Sequence, residues 1–186
     1  IGLQPAPALR GALSKLYQQS DAVRAANFAR MQQVAQRVLR DVPGARLARD
    51  SAGRETDIAI DHAEFAQLPE DAIARVVAVM RSEGLTATVS SIHVNGWIGS
   101  HSKWTAAQWM LERLFGRALA PEIARWVYVG DSTNDQLMFR HFPLSVGVAN
   151  LLHFADRLQH WPAYITERER GEGFAELAAR VLAARR

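Results

Sequence analysis

Apolar positions along the first half of the chain recur at helical and then at strand spacing. Val23, Phe28, Met31, Val34 and Val38 fall near a helical period. They predict a helix capped by Asp21 and running to about Leu39, with Pro43-Gly44 as its stop. Residues 45–48 and 56–60 read as two short strands either side of the turn-like Asp50-Ser51-Ala52-Gly53, which predicts a β-hairpin. A second helix is expected from Leu68-Pro69-Glu70-Asp71, with Ile73, Val76, Val77 and Met80 on one face and Gly84 at its end. Residues 86–94 are rich in β-formers and read as one strand. Helix, two strands, helix, strand is the order of an α+β layer with an antiparallel sheet, assigned to residues 20–100. Residues 1–19 begin with the loop signal Gln4-Pro5-Ala6-Pro7, continue as a weakly helical stretch, and have no assigned place.

After Asn95-Gly96 the rhythm changes. Strands are expected at 126–129, 144–148 and 163–166, and helices at about 105–115, 134–140, 152–158 and 174–184. Short apolar strands alternating with helices indicate an α/β unit, a parallel sheet covered on both faces. It is assigned to residues 101–186, with the boundary near 97–102.

Composition narrows the class. The 186 residues carry a formal charge of only +3, and the arginines are interleaved with acids along helices. That pattern reads as solvated faces, not as a nucleic-acid stripe. The chain has no cysteine, which rules out disulfides and thiolate metal sites and makes a cytoplasmic home the simplest expectation. No apolar run reaches membrane-spanning length, and nothing resembles a signal peptide. Neither nucleic acid nor membrane is therefore expected as a partner.

The chemistry concentrates after residue 125. Trp126-Val-Tyr-Val-Gly130 is an apolar strand ending in glycine, and Asp131-Ser-Thr-Asn-Asp135 follows at a helix start. Ligands of parallel α/β sheets bind at the carboxyl ends of strands. Asp135 lies about one turn beyond Asp131 and can face the same cleft, so two carboxylates and an amide make a hard oxygen site suited to Mg²⁺. The plainer uses of these residues are Asp131 as a helix cap and Asp135 as a first-turn acid. Lys103 precedes a helix, where it opposes the helix dipole but is well placed to neutralise a phosphate.

Lys103 before a helix, then a strand, then Gly-Asp-Ser-Xaa-Asn-Asp, resembles the third and fourth motifs of the haloacid dehalogenase-like phosphatases. Leu144-Ser-Val-Gly-Val-Ala-Asn150, Ala163-Tyr-Ile-Thr166 and Gly171-Glu-Gly-Phe174 are similar to that family's closing segments. The α+β unit before Lys103 resembles the type IIB cap of Cof-type, sucrose-phosphate, trehalose-phosphate and mannosylphosphoglycerate phosphatases. The resemblance implies a Rossmann-like parallel-sheet core, of which this chain holds the C-terminal part, with an inserted α+β cap. It implies Mg²⁺ on Asp131 with Asp135 in support, and Lys103 steadying nucleophile and phosphate. Ser132 and Asn134 would shape the loop or bond the phosphate. The implied activity is hydrolysis of a small phosphate monoester of the sugar-phosphate kind, through a phosphoaspartate.

One motif departs from the family. Its nucleophile stands in Asp-Xaa-Asp-Gly-Thr, and this chain has none. Asp57 and Asp61 sit in the hairpin, and the second motif has no counterpart either. The expectation is that the nucleophile lies outside this sequence, that residues 1–186 are a fragment or joined pieces, and that alone they are inactive. A relic that binds without catalysis is the competing reading. In the cap, Arg54, Glu55 and Asp57 and the later His93, Asn95 and His101 are candidates for reading the leaving group. Arg54 suits a second anionic group, and His93 and Asn95 suit sugar hydroxyls, although each also reads as an ordinary surface or structural residue. His153 and His160 read as surface or packing residues, and Trp97, Trp104 and Trp109 as core or interface residues.

Overall fold

The computed structural model describes residues 15–184. The weakly helical stretch read in residues 1–19 lies largely outside them, and residues 15–19 carry no helix. The first layer consists of α1 (Asp21–Asp41), β1 (Arg46–Leu47), β2 (Ile58–Asp61), α2 (Glu70–Ser82), β3 (Thr86–Val89) and β4 (His93–Trp97). Its four strands pair antiparallel in the order β1-β2-β4-β3. The second contains α3 (Lys103–Phe115), β5 (Val127–Gly130), α4 (Gln136–His141), β6 (Leu144–Gly147), β7 (Tyr164–Ile165) and α5 (Arg170–Ala183). Its three strands are parallel in the order β5-β6-β7.

The first core lies between the two helices and one face of the antiparallel sheet. Met31, Val34, Ala35 and Val38 of α1 recur at helical spacing and are buried with Val76 and Met80 of α2 against Ile58, Ile60 and Val94. Ser20, not Asp21, caps α1, its hydroxyl accepting from the Val23 N–H at 3.5 Å. Val23 and Phe28, read as part of the buried face, are 46% and 37% exposed. A 21-residue helix is about 31 Å long, roughly twice the span of these strands, so its first turns overhang the sheet.

The expected single strand at 86–94 is a hairpin. Ser90 breaks it: its Oγ donates to the His93 carbonyl at 3.0 Å and accepts the His93 N–H at 3.1 Å. The Asn95-Gly96 pair, elsewhere a turn signal, lies inside β4. A Cβ at Gly96 would meet Met80 Sδ at 2.7 Å, so glycine is there to admit α2. Asp61 closes β2 and accepts the N–H groups of Glu64, Phe65 and Ala66 at 2.9, 2.9 and 3.2 Å. Burial opposes its charge, but these donors outweigh it and hold the carboxyl below its ordinary range. Asp61→Ala should therefore cost about 2–3 kcal/mol by urea denaturation, because three backbone donors lose their acceptor.

The layers meet where Thr133 Oγ1 donates to the Val89 carbonyl at 3.1 Å. Strand β4 alternates, so Val94 and Gly96 face the helices while Asn95 and Trp97 face the parallel unit. No helix among the described residues is long and apolar enough to cross a membrane.

Candidate active site

The loop after β5 is built around Asp135. At Gly130 an added Cβ would lie 2.6 Å from Asp135 Cγ, so only glycine lets the following 3-10 turn, Thr133–Asp135, fold back over the strand end. Asp135 is 1% exposed. Its Oδ2 accepts the N–H groups of Asp131 and Ser132 at 2.9 and 3.2 Å. Its Oδ1 accepts the Tyr128 hydroxyl and the Lys103 ammonium. Burial, and then the Asp135 charge, push the Tyr128 phenol far above its ordinary range, so it remains a protonated donor.

Lys103 opens α3, whose start is held by a capping box between Ser102 and Thr105. Its ammonium also donates to Asn134 Oδ1 at 3.0 Å, and the same oxygen accepts Ser132 Oγ at 2.8 Å. Lys103 thus stands at the junction of two hollows. The smaller, of about 440 Å³, is lined by Lys103, Tyr128, Gly130, Asp131, Asp135 and Arg170, among others. The larger, of about 800 Å³, runs from Lys103, Thr133 and Asn134 to the polar face of the antiparallel sheet, with Asp57, Thr86, Thr88 and Asn95. Tyr17, Trp97 and Trp109 supply aromatic wall.

The sequence-derived candidates divide accordingly. Lys103, Asp131, Ser132, Asn134 and Asp135 come together at one strand end. Ser132 is 2% exposed, and its hydroxyl is turned into the loop toward Asn134. Asn95, Asp57 and His101 line the large cavity. Arg54 lies behind it, held by both Asp50 oxygens at 2.8 Å and by Asp57 at 2.5 Å, with Asn95 Oδ1 at 3.5 Å. His93 lies outside it, buried and bonded through Nε2 to Glu64 at 3.0 Å. Glu55 is taken by Lys15, Tyr17 and Arg24. Trp104 stacks on His141 with ring centroids 4.1 Å apart, Trp97 packs against the first core and also lines the cavity, and Trp109 lines the cavity. Tyr128 and Arg170 carried no motif and were missed. For Tyr128 the signal was available, since alternation along β5 puts residue 128 opposite its apolar neighbours.

The donors have the right character for a hard divalent cation, but only in part. The Asp131 side chain is exposed and makes no hydrogen bond among the described residues, whereas both Asp135 oxygens are occupied by protein donors. No group of three or more His, Asp or Glu side chains with metal-holding geometry occurs among the described residues. The residues present therefore fit one face of a coordination shell, with Asp131 as its free oxygen ligand.

This architecture matches known structures. Synechocystis sucrose-phosphatase, solved in complex with sucrose and phosphate, superposes with a TM-score of 0.58 at 18% identity, over 80% of this chain and 61% of that one. The chain shares the fold of that phosphatase. A second structure with it, the Thermoplasma acidophilum 0175 protein, has a TM-score of 0.55 at 18% identity, over 83% of this chain and 60% of that one. The chain thus spans about three fifths of the length of these two structures. No protein-family model and no curated relative matches it by sequence.

Proposed function

We propose that this chain forms the metal- and phosphate-holding half of a Mg²⁺-dependent phosphomonoester hydrolase acting on a small sugar phosphate. Residues 20–100 serve as the cap and residues 101–186 as the C-terminal part of the core. The observation that carries the reading is the position of Lys103, held by Asp135 and Asn134, at the junction of an acid-lined pocket and a large polar and aromatic cavity. The phosphoryl group lies in the smaller pocket, where Lys103 neutralises it while Asn134, on the side of the larger cavity, orients the lysine ammonium. The sugar extends into the larger cavity, where Asn95, Thr86, Thr88 and Asp57 meet hydroxyls and Trp97 and Trp109 meet ring faces. Arg54 supports this wall by fixing Asp57 and Asn95. Bound Mg²⁺, held by Asp131, would supply charge neutralisation at the transferring phosphoryl oxygens. Asp135 supports the metal indirectly by fixing the Asp131 backbone.

The nucleophile is a carboxylate from outside this sequence. Asp61 is committed to three backbone donors and Asp57 to Arg54. That carboxylate attacks phosphorus, the sugar oxygen leaves and takes a proton, and water then cleaves the phosphoaspartate to free phosphate. A phosphate-binding module without turnover is the second reading, favoured by the full occupation of Asp135.

Phosphate release from a panel of sugar phosphates with Mg²⁺ separates these outcomes. The 186-residue protein should show no turnover, and the polypeptide encoded by the complete gene should. Silence in both selects the binding module. Robust turnover by residues 1–186, lost in Asp131→Asn, would place the nucleophile within them and reopen Asp57 and Asp61.

A further inference from the structure

Among the described residues, one non-glycine has a left-handed backbone, and it lines the pocket that holds Asp131. Arg170 has φ 52°. Such a conformation is unfavourable for a long side chain and persists only where its surroundings enforce it. Here they do. The Arg170 N–H donates to Oδ1 of the buried Asn150 at 2.9 Å. Just before it, the Arg168 carbonyl accepts both Thr166 Oγ1 at 2.6 Å and the Ala149 N–H at 3.1 Å. Gly173 packs so closely that an added Cβ would lie 2.3 Å from the Arg168 oxygen. Several side chains and one glycine are thus committed to presenting residue 170 at this rim.

The charge balance gives the reason. Without Arg170, Asp131 and Asp135 against Lys103 would leave the pocket with one net negative charge, which repels an incoming phosphate; Arg170 brings the lining to neutrality. Nearby, Lys103 pairs with Asp135, and Glu169 has His153 Nε2 at 3.7 Å, so Arg170 is left without a carboxylate partner among the described residues. A guanidinium is a planar fork that matches two phosphate oxygens at once, whereas the lysine ammonium is a point charge already shared with Asp135.

We infer that Arg170 is a second cationic contact for the phosphoryl group, gripping its peripheral oxygens beside Asp131 while Lys103 holds it from α3. This rests on the phosphatase reading of the pocket. The test is calorimetric titration of the 186-residue protein with inorganic phosphate in the presence of Mg²⁺. Arg170→Asn and Arg170→Gly both tolerate the left-handed backbone, so either one remaining folded is sufficient. Each should weaken phosphate binding about 10-fold or more, the scale of a charged hydrogen-bonding pair, without lowering the melting temperature. Arg170→Lys should fall between. If Lys103→Gln weakens phosphate binding but the Arg170 variants do not, the Arg170 contact is refuted and the phosphatase reading stands. If the unaltered protein fails to bind phosphate, or Lys103→Gln leaves binding unchanged, both fall together.

Discussion

Asp135→Ala should lower the melting temperature by about 6–12 °C, a large effect for one surface-adjacent loop. The ion pair with Lys103 contributes little to this, because the lysine side chain is 47% exposed and water replaces its partner. The cost comes from the groups that water cannot reach as easily. The Tyr128 hydroxyl and the N–H groups of Asp131 and Ser132 all point at this carboxylate, which is 1% exposed. Orphaning them costs about 3 kcal/mol together, and each kcal/mol moves the midpoint of a domain this size by roughly 2–4 °C. Asp135→Asn keeps one acceptor oxygen and should lose less. A circular dichroism melt of the purified protein decides it. An unchanged midpoint for the alanine variant would mean that the carboxylate does not organise the loop.

Asp131→Asn should have the opposite profile. The side chain is exposed, and the loop uses its backbone N–H, not its carboxylate. Stability should therefore change by no more than about 0.5 kcal/mol. In the polypeptide encoded by the complete gene, Mg²⁺-dependent turnover should fall about 100-fold or more, because an amide is a poor substitute for a charged ligand to a hard cation. In the 186-residue protein, the same substitution should abolish any strengthening of phosphate binding by Mg²⁺. Kinetics across a Mg²⁺ titration check the first expectation and phosphate calorimetry the second. Near-normal turnover with normal Mg²⁺ dependence would remove Asp131 from the proposed metal site. The contrast between the two aspartates is the informative measurement: one should cost stability, the other activity.

Both aspartates lie in a single six-residue motif, and its placement after a strand was legible before any coordinates. Apolar runs of four or five residues alternating with helices are the pattern of a parallel sheet, so the β5-β6-β7 unit was legible from spacing, although Tyr164 and Ile165 of β7 are exposed. The antiparallel pair β1-β2 and both helices of the first layer were legible from periodicity in the same way. The hairpin at Ser90 was not, since an uninterrupted β-rich run gives no local signal that a serine hydroxyl will close a turn. The role of Gly96 was equally hidden: Asn-Gly favours a turn in isolation, but here the glycine lies inside β4 and makes room for Met80.

The sequence by itself determined which residue types exist for the chemistry: a lysine at a helix start, acids after a strand-ending glycine, and no Asp-Xaa-Asp. Those follow from local spacing and composition, which a linear reading contains. Only the tertiary structure decided how they divide the work. Asp135 is turned inward to carry Tyr128, Lys103 and two backbone N–H groups, leaving Asp131 facing the open pocket. Arg170, 39 residues after Asp131 in the chain, reaches the same rim because parallel strands stack their carboxyl ends side by side. Arg54 and His93 gained partners in Asp50, Asp57 and Glu64 that draw them away from the cavity. Residues distant in sequence met through strand order and helix packing, and burial then settled which charges had to be paired and which remained free.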